Sequence, residues 1–329
     1  MNLLNRRIAR VVAFVLLLPS WVLAQSPTDN FPSRPVTIVI AYAPGGPVDS
    51  EFRLYAPKLT EVMKQSFVTD YKAGGTGSVG AVYVAKSRPD GYTLVAYTNG
   101  LTTAAATYKS FPLDVMKDLA PVSLINRRAT VLVAYPGFGP KTFKEYLAYA
   151  KANPGKINMS NSGIGGSSHL ASAWMHNLAD IKVTYVNYKG AGPQLIDLIA
   201  GRVDVGVMSV VATMPLIKTG KIRPLAILDE KRSSSLPDVP TAAESGVTGF
   251  GYANWVGVAA AGGTPDSITT KLSDAFAKVV HMQEVAGPLE KQAAVMVGSS
   301  PAEFRRVMDN EIAVWRRVVK ENSITVEEE

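Results

Sequence analysis

The chain has 329 residues, 34 Lys and Arg against 27 Asp and Glu, a formal charge of +7 and 47% apolar residues. Such a length allows two domains, each with its own core, and the composition is that of a globular protein rather than a fibrous or disordered one. It contains no cysteine, which excludes a disulfide, a thiolate metal site and a cysteine nucleophile.

Arg6, Arg7 and Arg10 precede an apolar run, Val11–Leu18, that is too short to span a bilayer. Val22-Leu23-Ala24 reads as a cleavage site, so residues 1–24 are expected to be a signal peptide that sends the chain out of the cytoplasm. An uncleaved anchor helix is the rival, and Pro19 and the cleavage motif count against it. No cysteine follows the apolar run, so a lipoprotein anchor is excluded. Cleavage removes three arginines and no acid, and the charge falls by three, from +7 to +4. No Lys/Arg cluster suggests a nucleic-acid face.

Val36–Ile40 reads as a buried strand. It runs into Ala41-Tyr42-Ala43-Pro44-Gly45-Gly46-Pro47-Val48-Asp49, a glycine turn with a proline placed for a first helical turn. A helix from about Val48 to Met63 follows, and Pro57 is expected to kink or divide it. Phe67–Tyr71 is a second strand. Gly75-Thr76-Gly77-Ser78-Val79-Gly80 matches G-x-G-x-x-G, but the next strand ends in Thr98-Asn99-Gly100 with no acid, so a dinucleotide site is not expected. Leu119–Asn126 and Thr130–Tyr135 read as two strands separated by Arg127 and Arg128. Thr142 with Glu145 forms a capping box for a helix that ends at Asn153-Pro154-Gly155.

Asn161-Ser162-Gly163-Ile164-Gly165-Gly166-Ser167-Ser168-His169 repeats the opening design: strand, glycine loop, helix. Ser167 or Ser168 is expected as N-cap, with Leu170, Trp174 and Leu178 facing inward. Val183–Tyr188 is a strand that ends in Lys189-Gly190, and a helix through Leu195, Leu198 and Ile199 follows. A strand at Val203–Val207, a short helix at Met214–Thr219 and a strand at Arg223–Leu228 come next. After the proline-bearing segment 231–249 come a strand with Trp255, a helix with Leu272 and Phe276, and a helix opened by the capping box Ser300–Glu303. Alternating strands and helices predict parallel sheets with helices on both faces, which bind ligands at the carboxyl ends of their strands.

Catalytic sets are scarce. The three histidines, His169, His176 and His281, lack zinc spacing, and no G-x-S-x-G surrounds Ser167 and Ser168. Core or capping roles explain them better. What remains is a set of glycine loops before helix N-termini, each able to favour an anion by roughly 0.3–1 kcal/mol. Binding fits this better than catalysis.

Taken together, the motifs are specific. Tyr42-Ala43-Pro44-Gly45-Gly46 with Asp49 and Arg53, Pro89-Asp90-Gly91-Tyr92-Thr93-Leu94, Ser162–Leu170, Tyr188-Lys189-Gly190, Gly201-Arg202-Val203-Asp204 and Leu236–Thr241 occur in the order found in the Bug family. The chain therefore resembles the periplasmic substrate-binding proteins of tripartite tricarboxylate transporters. The resemblance implies an α/β, two-lobed periplasmic binding protein of type II-like form, each lobe a mixed sheet with helices on both faces. It places one discontinuous lobe at 33–128 and 249–329, and the other at 129–248. It implies a monomer, not an enzyme, without cofactor or metal, that delivers a di- or tricarboxylate or aromatic acid to membrane transporter subunits. Tyr42, Pro44, Gly45, Gly46, Asp49, Thr98 and Asn99 would line the cleft from one side. Ser162, Gly166, Ser167, Ser168, Tyr188, Lys189 and Met208 would line it from the other. Met208 stands where many members carry an acid, which leaves room for an apolar acid as ligand. The alternatives are a secreted hydrolase or lyase, for which only His169 offers a base, and a sensory module.

Overall fold

A computed structural model describes residues 30–188 and 190–324. The expected signal peptide (1–24) and Lys189 lie outside the described residues. The chain divides into two units, 1–31 and 32–329, and every strand among the described residues belongs to the second.

The opening αβ run is β1 (Val36–Ile40), α1 (Pro47–Met63), β2 (Phe67–Tyr71), α2 (Ser78–Ala85), β3 (Thr93–Thr98), α3 (Gly100–Thr107) and α4 (Val115–Asp118). β1 is flanked by β2 and β3, all parallel, so the chain leaves all three strands at one edge of the sheet. α1 starts on Pro47 as its first helical residue and runs on as one helix through Pro57, against the expected division. Gly80 has its reason here: a Cβ would meet Ala41 at 3.0 Å, so α2 packs directly on the end of β1.

β4 (Leu119–Ala134) is one strand, not the two expected. The break suggested by Arg127 and Arg128 vanishes because both find partners while the backbone ladder continues. Arg128 pairs with the buried Glu51, Asn126 donates to Glu51 and Tyr55, and Arg127 lies 3.5 Å from Asp229. Polar residues in a strand signal a loop only when they have no buried partner.

The chain continues through α5 (Phe143–Ala152), β5 (Asn158–Asn161), α6 (Ser167–Ala179), β6 (Thr184–Asn187), α7 (Ala191–Ile199), β7 (Val205–Ser209), α8 (Val210–Lys218) and β8 (Arg223–Ile227). β5 is parallel to both β6 and β7. The last run is β9 (Ala253–Ala261), α9 (Asp266–Val280), α10 (Gln283–Glu290), β10 (Ala294–Met296) and α11 (Pro301–Glu321), of which α10 and β10 have no counterpart in the sequence expectation.

β4 joins two groups of strands. Over Leu119–Ala129 it pairs with β9, and at Asn126–Arg128 also with β10. Over Thr130–Ala134 it pairs with β7 and β8. The result is a ten-stranded mixed sheet among the described residues, ordered β2-β1-β3-β9-β4-β7-β5-β6 with β8 and β10 also on β4.

The core follows the same division. Val39, Tyr97, Leu124, Trp255, Phe304 and Met308 form one cluster; Tyr146, Leu170, Met175, Val205, Leu225, Trp315 and Val318 form another. α11 contributes to both. It opens with the expected capping box, Ser300 and Glu303 each bonding the other's backbone N–H. On α6, Leu170 is buried and Trp174 half-buried, but Leu178 is 43% exposed, against the inward position expected of it. No helix among the described residues is long and apolar enough to cross a membrane.

Candidate ligand cleft

The first set of expected residues sits at the carboxyl edge of β1–β3. Tyr42 turns its hydroxyl onto the next loop, 2.7 Å from the Thr98 hydroxyl, and accepts the Thr98 N–H at 3.2 Å. Burial raises the pKa of this phenol above its ordinary value, so it stays neutral. Pro44 and Gly45 are exposed and Gly46 is half-buried. Gly45 has φ +81°, a conformation that favours glycine, whereas Gly46 is extended at φ −76°.

Asp49 is 1% exposed and turned into the loop itself. It accepts the Gly45 N–H at 2.7 Å, the Tyr71 hydroxyl at 2.7 Å and the Arg53 guanidinium at 3.1 Å. The Gly45 N–H above all, then Tyr71, holds this carboxyl below its usual range. Asp49 is thus the brace of the glycine turn.

The second set sits at the carboxyl edge of β5 and β6. The N-cap of α6 is Gly166; Ser167 and Ser168 are its first helical residues, not its cap. The Ser168 hydroxyl instead lies 3.0 Å from that of Ser162, across the loop. His169 is buried and accepts the Gly165 N–H on Nδ1 at 3.1 Å, and burial lowers its basicity. It is a brace for the loop, with one ring nitrogen already committed. His176 is a core histidine between the hydroxyls of Tyr146 (2.7 Å) and Tyr185 (2.8 Å). Tyr188 is half-buried and donates to Asp197 at 2.8 Å, which Arg202 holds in turn at 2.7 Å.

Met208 departs from expectation. It is 5% exposed and packs in an apolar cluster with Val131, Leu198, Val210 and Ile227, opposite Val131 in the β4–β7 ladder. Its side chain is buried among residues of β4, β8, α7 and α8.

Tyr252, which sequence reasoning missed, is tied to the first set. Its hydroxyl accepts the Asn99 amide at 3.1 Å and donates to Asn254 at 2.7 Å. Asn99 is 2% exposed and also reaches Glu311, a second missed residue, at 3.4 Å.

Helix polarity supplies the electrostatics. α1, α3, α6 and α7 begin at Gly46, Asn99, Gly166 and Gly190, and none of these carries a side-chain cap bond. Elsewhere Asp114, Thr142 and Ser300 cap α4, α5 and α11, although α2, α8, α9 and α10 also go without. Uncapped N-termini leave backbone N–H groups that an anion can satisfy. None of the expected residues with a described position is cationic, so these N–H groups are the anion-selective feature. The described residues hold no cluster of three metal-ligating side chains.

Residues 51–324 match the family model described as tripartite tricarboxylate transporter family receptor. BugT of Bordetella pertussis is 30% identical over 309 residues, covering 93% of this chain and 95% of its own. Among solved structures, R. palustris Rpa4515 with adipate is 34% identical, covers 90% of this chain and 99% of its own, and has a TM-score of 0.72. A TctC solute-binding protein from Polaromonas with no ligand is 25% identical, with coverage of 88% and 99%, and reaches 0.81. With motifs, fold and matches in agreement over most of its length, the chain belongs to the tripartite tricarboxylate transporter receptor family, the family of the Bug proteins.

Proposed function

We propose that this receptor captures a small carboxylic acid in the periplasm, between two lobes, and presents it to membrane subunits of a tripartite transporter. The observation that carries the reading is the gathering of uncapped helix N-termini at the carboxyl edges of two parallel strand sets. A carboxylate placed there satisfies N–H groups from both sets and gains from the helix dipoles. Tyr42, Pro44, Gly45, Gly46, Thr98 and Asn99 would line it from one side, and Ser162, Gly166, Ser167, Ser168, Tyr188 and Lys189 from the other. Asp49 and His169 would act behind the loops, and Met208 drops out.

The lobes proposed are 33–128 with 249–329, and 129–248. β4 changes partners between Ala129 and Thr130, which supports the first boundary. Phe250 and Tyr252 pack with the second cluster, which favours a crossing just after Tyr252. The chain superposes better on the ligand-free Polaromonas receptor than on the adipate-bound one, despite lower identity. That supports lobes standing apart as in a ligand-free receptor. Receptor action without turnover, and export by a cleaved signal peptide, complete the proposal.

Calorimetric titration with adipate, citrate, terephthalate and aspartate tests it. Saturable binding of at least one acid, recovered unchanged, is expected. Consumption of the acid, or binding of neutral solutes only, would overturn the proposal.

A further inference from the structure

α11 runs across both core clusters, with Phe304 and Met308 in one and Trp315 and Val318 in the other. Beside it lies a cavity of about 220 Å³ whose wall draws on both: Tyr252 and Trp315 belong to one cluster and Trp255 to the other. Trp174 of α6 extends this aromatic surface. The Trp174 and Trp315 rings stand 6.0 Å apart at 88°, and Tyr252 meets Trp315 at 5.7 Å and 63°. Rings at such angles make a corner rather than a stack. Half-buried Glu311 lines the same cavity. One of its oxygens accepts Trp255 Nε1–H at 2.9 Å and the Thr102 hydroxyl at 3.1 Å; the other accepts the Asn99 amide at 3.4 Å. All three donors are neutral. Among the described residues no cation lies within ion-pair distance of Glu311 or of Glu230, the other carboxylate on the wall. Arg127 is the one cation lining the cavity among the described residues, and Asp229, 3.5 Å away, answers its charge.

We infer that this cavity is a second binding site, separate from the carboxylate cleft, that takes a small quaternary ammonium between the tryptophans and Glu311. None of the described residues proposed to line the cleft is among its wall residues. Aromatic faces carry negative potential and attract a cation, the more so where water is excluded. Glu311 adds a charge that the fold leaves without a counter-ion, and buried charges are stable when paired. An anion would meet two carboxylates and one guanidinium that is already paired. A primary ammonium brings three N–H donors, while Glu311 has already given three of its roughly four acceptor sites. A quaternary ammonium asks for charge and apolar contact without hydrogen bonds, which is what this wall offers. Burial pushes the Glu311 carboxyl up to about 7, as befits a charge held among neutral groups, and a bound cation would favour its ionised form.

The chain has four tryptophans, and all but Trp21, in the expected signal peptide, line this cavity. Tryptophan emission of the processed protein therefore reports on the cavity, and choline is the probe, at about pH 8, where Glu311 is ionised, and at constant ionic strength. Choline should shift the emission saturably. Neohexanol, the uncharged isostere with carbon in place of nitrogen, and ethanolamine, the primary ammonium, should each bind about 10-fold more weakly or worse. In calorimetry, Glu311→Gln, which keeps the shape and removes the charge, should weaken choline by about 10-fold or more, and Trp174→Leu, at a half-buried position, by roughly 3- to 10-fold. If Glu311→Gln fails to fold, Trp174→Leu and the neohexanol comparison decide. No saturable shift at millimolar choline, equal binding of choline and either analogue, or unaltered choline affinity in either folded variant overturns the inference. Adipate binding is measured separately, so a failure there bears on the carboxylate cleft alone.

Discussion

Replacing Gly46 by valine separates the binding role of the opening loop from its role in the fold. Gly46 is the N-cap of α1, extended at φ −76° and ψ 173°, a conformation valine adopts freely. An added Cβ would meet only the Ala43 carbonyl oxygen, at 3.3 Å, so the loop has to give by a few tenths of an ångström. Against that small cost stands the loss of glycine's freedom in the unfolded chain, worth about 0.4–1 kcal/mol in favour of the variant. Net stability should stay within about 1 kcal/mol, a shift in Tm of roughly 3 °C or less for a unit of this size. Binding should suffer more, because the valine methyls cover the N–H groups that α1 leaves uncapped. One helix terminus is worth about 0.3–1 kcal/mol to an anion, up to about 2 when partly buried, and the upper end corresponds to roughly 30-fold in affinity. Thermal unfolding and adipate calorimetry on the same sample measure both. Gly45→Val is the contrast: its Cβ meets nothing within 4 Å, but φ +81° makes it strained by about 1–2 kcal/mol. Unchanged affinity in Gly46→Val, or its collapse as a folded protein, would refute the assignment of this loop to the cleft.

Other expectations follow from burial and charge. His176, enclosed by Tyr146 and Tyr185, has its basicity lowered by burial from 6.5 to about 3. It contributes stability above pH 6.5 that is lost as pH falls toward 3, about 2 kcal/mol of it by pH 5; His176→Gln should lose this acid sensitivity in urea unfolding. Glu311 runs the opposite way. Its folded value, about 7, lies above the ordinary 4.5, so the folded state holds the extra proton and stability falls as pH rises through that window. The stability of Glu311→Gln relative to the parent should therefore grow by about 3 kcal/mol between pH 4.5 and 8. Gly257→Ala should lower stability by about 1–3 kcal/mol, because its Cβ would overlap the buried Phe304 ring; a variant as stable as the parent would mean that α11 can shift on β9.

Much of this protein could be read before its structure. Val36–Ile40, the Gly45-Gly46 turn, Pro47 and the Ser300–Glu303 box gave strand, turn, helix start and cap correctly, because each depends on neighbours within a few residues. Elements that depend on distant partners were misread. β4 continues through Arg127 and Arg128 because Glu51, 77 positions earlier, waits for Arg128. The three-residue β10 exists only because β4 offers it an edge. Asp49 and His169 were visible as polar residues at helix starts, but nothing local shows that both turn back onto their own glycine loops. Met208 read as a wall of the site because a strand sequence does not show which of its faces the next cluster covers.

Glu311 left a signal that went unused: it stands seven residues after Phe304 and four before Trp315, a carboxylate on the apolar stripe of α11. Tyr252 left none. Local chemistry, written in glycine, proline and capping residues, by itself determined where strands turn into helices and which family the chain resembles. Only the tertiary structure decided that Asn99 and Tyr252, 153 positions apart in the sequence, share a hydrogen bond, since hydrogen bonds between remote segments are set by how the sheet brings its edges together.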